Sequence, residues 1–253
     1  MKATGILTMI KNRMSREKLY TQPDYWDAKA VELEGTAVSL WPNNNLNELY
    51  EKEHFAFYES CVGNIENLAV MDLGCGVGNV TRYFAKRNAN VSGLDFSEKA
   101  IEIARKKSVM YPNINYVVKS IFDFYEPEKY DLIHIRTCLT VACKNADELD
   151  KAIQNIAGSL KHNGKCLIIE PIHSNFLHRV LKMNLQEFKK ILEKNGLEVK
   201  ETRHLHFVPA RLLLSYFNIP MFITKPIYHI GQWIMNTLGW QWGDYKAIYA
   251  IKK

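Results

Sequence analysis

No two cysteines in this chain stand in a C-x-x-C arrangement, and their number, five, is odd. Cys61, Cys75, Cys138, Cys143 and Cys166 therefore read as free thiols of a reducing compartment and not as a disulfide framework. No long basic run with interleaved aromatics occurs, and the net charge of +6 is modest for 253 residues. Short clusters such as Arg105-Lys106-Lys107 read as a solvated face, so nucleic acid is not an expected partner. No stretch of about 20 clean apolar residues is present, which argues against a transmembrane helix. The first twenty residues have too short an apolar run for a signal peptide and no small-residue cleavage site after one. The expectation is a cytoplasmic protein. Internal repeats and low-complexity linkers are also missing, which favours one domain over residues 1–253.

What is present is a rhythm. LAVMDLG (68–74) is an apolar run ending in glycine, as a buried parallel strand would be. NVSGLD, INYVVKS, YDLIHIR and KCLIIEP repeat the theme. Between them lie segments of helical spacing, such as SEKAIEIARKKSVM, with Ser97 as N-cap and Ala100, Ile101 and Ala104 on one face. A further helix is expected near 185–195, stopped by Gly196. LEVKETRHL and DYKAIYAIKK read as two more strands. Strands alternating with helices imply an α/β fold with a doubly wound, mostly parallel sheet covered by helices on both faces. Two segments break the rhythm: an N-terminal cap (1–45) and an aromatic insertion (207–243). The core is then 46–206 and 244–253.

The glycines after the first strand locate a site. In open parallel sheets ligands bind beyond the carboxyl ends of the strands, and glycine lets backbone approach a ligand closely. The following helix points N–H groups at that place. A dinucleotide fingerprint, G-x-G-x-x-G, would need a glycine at 79, where Asn79 stands. Here the glycines are Gly74, Gly76 and Gly78, giving D-x-G-x-G-x-G from Asp72. Asp95 closes the second strand, 17 positions after Gly78, where a carboxylate can accept ribose hydroxyls.

This pattern, with GLDFS after it and LKHNGKCLIIEP before the fifth strand, resembles the class I S-adenosylmethionine-dependent methyltransferases. The resemblance covers about Asn47 to Leu205 and the last ten residues. It implies a seven-stranded Rossmann-like sheet whose last strand is antiparallel, and S-adenosyl-L-methionine as cofactor. It implies a cofactor site of Asp72, Gly74, Cys75, Gly76, Gly78, Asp95 and Phe96. Many relatives have an Asp after the third strand for the adenine amino group. Ser120 stands there instead, with Ile121 placed to pack on adenine and Asp123 as the alternative. The backbone near Arg136 would take the methionine ammonium, and Tyr25 or Tyr20 the carboxylate.

The reaction the family performs is an in-line displacement at a sulfonium methyl, so no fixed catalytic triad is expected. His173, just past the fifth strand, and His134, within the fourth, are the candidate bases. His134 is also readable as a satisfied core histidine, and Cys138 as a buried apolar residue. The side chain of Arg136 could pair a substrate carboxylate or phosphate. His204 and His206 have chelating spacing but no third ligand, so no metal is expected. No N/D-P-P-Y/F run follows the fourth strand, which favours a small-molecule acceptor over a nucleobase.

The insertion is rich in aromatics, among them Phe207, Tyr216, Phe217, Phe222, Tyr228, Trp233, Trp240 and Trp242. It is broken by Arg211, Lys225, His229, Pro220 and Pro226. Three readings stand: a lid over an apolar or aromatic acceptor, a peripheral membrane contact for a lipid-borne one, or a homodimer interface. Two rivals to a methyltransferase remain as well, a nicotinamide-dependent dehydrogenase and a non-catalytic cofactor-binding protein of the same fold.

Overall fold

The computed structural model describes residues 15–32, 43–239 and 241–253. Residues 1–14 and 33–42 of the expected N-terminal cap, and Trp240, lie outside them. In chain order the helices are α1 (Arg16–Tyr20), α2 (Pro23–Glu32), α3 (Asn44–Val62), α4 (Asn79–Ala85), α5 (Glu98–Lys107), α6 (Leu139–Ala142), α7 (Ala146–Ser159), α8 (Leu185–Lys194), α9 (Val208–Leu214) and α10 (Met221–Leu238). The strands are β1 (Ala69–Leu73), β2 (Asn90–Asp95), β3 (Ile114–Val118), β4 (Tyr130–Arg136), β5 (Leu160–Glu170), β6 (Leu197–Phe207) and β7 (Gly243–Lys252).

The seven strands form one sheet in the order β3-β2-β1-β4-β5-β7-β6. The first five strands of the chain pair in parallel, and β7 runs antiparallel to both β5 and β6. Strand order reverses between β1 and β4, so their carboxyl ends open a crevice at a topological switch point.

Alternation along the buried strands supplies a core on each face. Ile133 and Ile135 pack with Ile153 and Ile156 of α7 and Leu192 of α8 on one side. Leu132, Leu167 and Ile169 pack with Phe57 and Tyr58 of α3 and Phe84 of α4 on the other. Ser97 caps α5 as the sequence suggests, and α8 carries a side-chain cap of its own. The Ser97 hydroxyl accepts from Ala100 N–H, and Asn184 forms a reciprocal capping box with Glu187. Each such cap is worth about 1 kcal/mol. α7 ends at Ser159, because Leu160 is already extended and pairs with Tyr130.

The insertion becomes the hairpin α9–α10. Its inner side packs on α3: Leu214 and Tyr228 meet Leu46, Leu49 and Tyr50. A buried ionic knot ties the hairpin to the sheet. Arg211, wholly buried on α9, brings Nε to 3.1 Å from Asp244 Oδ2 at the start of β7. His173 and Arg179 approach the same carboxylate at 3.0 and 3.6 Å. His173 donates from Nε2 to the Asp244 backbone carbonyl as well, at 2.7 Å. These partners hold the Asp244 carboxyl well below the usual carboxylate range, against the opposing effect of burial. No helix among the described residues is long and apolar enough to cross a membrane.

Candidate active site

One cavity of about 390 Å³ opens at the switch point. Its first end is made of backbone. Gly74 and Cys75 both donate N–H to Leu94 O, at 2.8 and 3.0 Å, folding the loop back over β2. Asp95 locks the turn: Gly76 N–H donates to Oδ2 at 2.8 Å and Ser97 N–H to Oδ1 at 2.9 Å. A carboxylate has about four lone-pair directions, so these two contacts do not exhaust it. Burial pushes the Asp95 carboxyl up, and the amides of Ser97, Gly76 and Phe96 oppose that.

Gly76 sits at φ +53, and a Cβ there would meet no protein atom within 4 Å, so bare backbone faces the cavity. Gly74 is required for a different reason. At φ +70 its Cβ would lie 2.7 Å from the Cβ and Sγ of Cys138. Ser120, Ile121, Phe122 and Phe96 complete this end, as do Thr21, Trp26 and Ala30 from the α1–α2 segment. Asp27 on α2 anchors that segment by accepting from the Ser97 hydroxyl and from Lys99 N–H.

Several expected residues fall behind the cavity wall. Asp72 is buried; Oδ2 accepts from the Thr81 hydroxyl at 2.6 Å and Oδ1 from His134 Nδ1 at 2.8 Å. His134 Nε2 in turn accepts from the Tyr58 hydroxyl at 2.7 Å. Both nitrogens of His134 are thus committed, and burial lowers its pKa despite Asp72. It is a brace between β1, β4 and α3, the satisfied core histidine of the two readings and not a base. The expectation of His173 as a base is corrected: it is committed to Asp244, beside the hairpin, and is not on the cavity wall. Gly78 and Tyr25 also stand outside the wall; Tyr20 and Trp26 face it, and Tyr25 packs against both at 5.3 Å between ring centres. Asp123 is not on the wall, whereas Ser120 and Ile121 are.

The far end is made of side chains. Asn47, Tyr50, Glu51 and His54 enter from α3, Arg136 and Thr137 from the end of β4, His206 from β6 and Tyr245 from β7. The α3 residues have i, i+3, i+4, i+7 spacing, which puts them on one helix face; that spacing was the available signal for His54. His206 stacks on Tyr50 with ring centres 3.6 Å apart and lies 4.6 Å from Tyr245. Its Nε2 is 2.9 Å from Nε2 of His54. His206 thus pairs with a histidine on another element and not with His204. Arg136 Nη1 is 3.4 Å from His54 Nδ1. Thr137 and His206 both hold positive φ, +52 and +59. Non-glycine residues in that region cluster where a site needs them.

The protons in this chain can be assigned. A guanidinium only donates, so His54 Nδ1 accepts from Arg136. His54 Nε2–H then donates to His206 Nε2, and His206 carries its proton on Nδ1. Burial lowers His54 well below the usual imidazole range and His206 to about 3, so both rings are neutral. Among the described residues Arg136 makes no ion pair with a carboxylate.

Residues 70–164 match the family model described as a methyltransferase domain. Among curated proteins, the ubiquinone biosynthesis O-methyltransferase of Nitrosomonas europaea is 23% identical over 172 residues, covering 62% of this chain and 72% of that protein. That of Haemophilus ducreyi is 24% identical, covering 70% and 86%. Residues 70–164 thus carry a methyltransferase domain of the class I S-adenosylmethionine-dependent kind. Its cofactor is S-adenosylmethionine. Solved structures support the fold of this methyltransferase. A Mesorhizobium loti S-adenosylmethionine-dependent methyltransferase superposes with a TM-score of 0.57 at 14% identity, covering 79% of this chain and 96% of that one. The [4+2]-cyclase SpnF superposes at 0.66 and 15%, covering 90% and 94%. A cyclase on the same fold shows why architecture alone does not name a reaction.

Proposed function

We propose that this methyltransferase transfers its methyl group to the oxygen of a small aromatic or apolar acceptor that reacts as an oxyanion beside Arg136. The observation that carries this reading is the Arg136–His54–His206 chain at the cavity's far end. S-adenosylmethionine, when bound, supplies a methyl group already activated by a sulfonium charge. The glycine loop, Asp95, Phe96, Ser120 and Ile121 would hold it, since they present bare backbone, a carboxylate not exhausted by its amide contacts and an apolar surface.

What is left to the protein is alignment, exclusion of water and management of one proton. The two histidines are not the base. Their accepting nitrogens are both occupied, and a conjugate acid near 3 cannot hold a proton at neutral pH. Their part is to fix the guanidinium. A cation so placed lowers the pKa of an adjacent hydroxyl and opposes an ammonium acceptor. Tyr50 and Tyr245 supply flat apolar walls for a ring. The curated relatives, named for O-methylation in ubiquinone biosynthesis, are consistent with a hydroxyl on an apolar molecule.

The test is turnover of methyl-labelled cofactor against a panel of phenols, catechols, amines and carbon acids. Label on the aromatic hydroxyls is expected, with a rate that rises with pH as the acceptor ionises. Label confined to amines would overturn the oxygen assignment.

A further inference from the structure

The hairpin α9–α10 does not do what a lid does: no described residue from Val208 to Gly243 lines the cavity. Its inner face is spent on α3. Its outer face is apolar and uncovered. More than half of the large apolar side chains exposed among the described residues fall between Leu212 and Trp242. On α10 the pattern is regular. Thr224, Tyr228, Gly231 and Met235 are buried. Phe222, Ile230 and Trp233 are 77, 58 and 62% exposed and share the opposite face with Pro226 and His229. Leu213 and Phe217 on and after α9 are exposed too. Patches of this kind mark interaction sites.

We propose that this outer face docks on an anionic phospholipid surface, lying flat in the headgroup region. Charge favours that occupant. Residues 207–243 contain no Asp or Glu. Lys225 and His229 are exposed on the same helix. An amphipathic helix with aromatic side chains on one face and basic ones beside it has the character of an interfacial helix. Its 18 residues do not qualify as a membrane span, so it lies on the surface.

The arrangement also connects docking to the site. α3 touches both: Leu46, Leu49 and Tyr50 meet the hairpin, and Tyr50 together with His54 also lines the cavity. Packed helices lie about 8–10 Å apart, so a docked hairpin holds the acceptor end roughly one helix layer from the lipid. An apolar acceptor dissolved in that lipid has a short path to Arg136.

The experiment is flotation of the full chain with vesicles of phosphatidylcholine, alone and with about one third phosphatidylglycerol. Sedimentation equilibrium is run in parallel without lipid. The expected result is flotation with the anionic vesicles. In the Phe222→Ser/Trp233→Ser double variant it falls about tenfold or more, as lost apolar burial requires. Affinity for S-adenosylhomocysteine should not change in that variant. A wild type that stays at the bottom of the gradient overturns the proposal. So does a variant that floats like wild type. A wild-type dimer that the two substitutions convert to monomer overturns it as well, by assigning the face to a second copy. None of these outcomes depends on which atom accepts the methyl group.

Discussion

At one end of the cavity, Gly76 meets Asp95 across 19 positions of chain; at the other, His54 meets His206 across 152. The first end is centred on one βαβ unit in which backbone amides, forced into position by glycine, do the holding. The second is a convergence of side chains from α3, β4, β6 and β7. Both ends line one void, yet they rest on different physics. The glycine end depends on local conformation and tolerates little change of backbone. The acceptor end depends on packing that holds elements distant in sequence together, and the Asp244 knot is the part of that packing nearest the hairpin.

The largest effect should come from breaking that knot. Asp244→Ala leaves Arg211 and Arg179 buried beside a missing charge, a change worth about 3–5 kcal/mol in comparable buried pairs. Urea denaturation should show a loss of that order. A loss below about 1 kcal/mol would mean the knot does not secure the hairpin.

Arg136→Gln is next. It should lower kcat/KM for the acceptor about a hundredfold, near 2.7 kcal/mol of transition-state stabilisation. The pH at which the rate rises should move up, and the dissociation constant for S-adenosylhomocysteine should stay within about twofold. An equal loss in cofactor binding would move Arg136 to the other end of the cavity.

Asp95→Ala should do the reverse. Cofactor affinity, measured by calorimetry, should fall at least about tenfold through loss of a charge-assisted contact of about 1.5–3 kcal/mol. Acceptor specificity should persist. An unchanged constant would remove Asp95 from the ribose.

The last prediction is one of slope and concerns Glu53, beneath α10, whose carboxyl burial raises to about 8. Its folded pKa exceeds its unfolded one, so the folded state binds the extra proton. The stability it contributes is full below about pH 4.5 and is lost as pH rises toward 8. Glu53→Gln should therefore flatten the decline of the urea midpoint between about pH 5 and 8. A slope equal to wild type would show that Glu53 does not titrate there.

Much of the fold could be read in advance because its signals are local. The apolar runs became β1 to β5 in the expected order, Ser97 capped α5, and the glycine spacing separated this loop from a dinucleotide one. The partners of the histidines could not be read in advance, for an equally physical reason. Period-two alternation tells which side of a strand His134 takes, but not that Tyr58 and Asp72 would be waiting there. His173 follows β5 as a base would, yet Asp244, 71 positions away, claims it. His54 was overlooked because its partner lies in β6.

The sequence by itself determined the alternation of strands and helices and the glycine turn, since strand pattern and turn chemistry are interactions between near neighbours, and its resemblance to the methyltransferases implied the methyl donor. Only the tertiary structure decided that the hairpin α9–α10 packs on α3, with none of its described residues on the cavity wall. It alone placed Arg136, His54 and His206 in one chain. Those outcomes depend on which side chains meet when distant elements pack, and no local period encodes that.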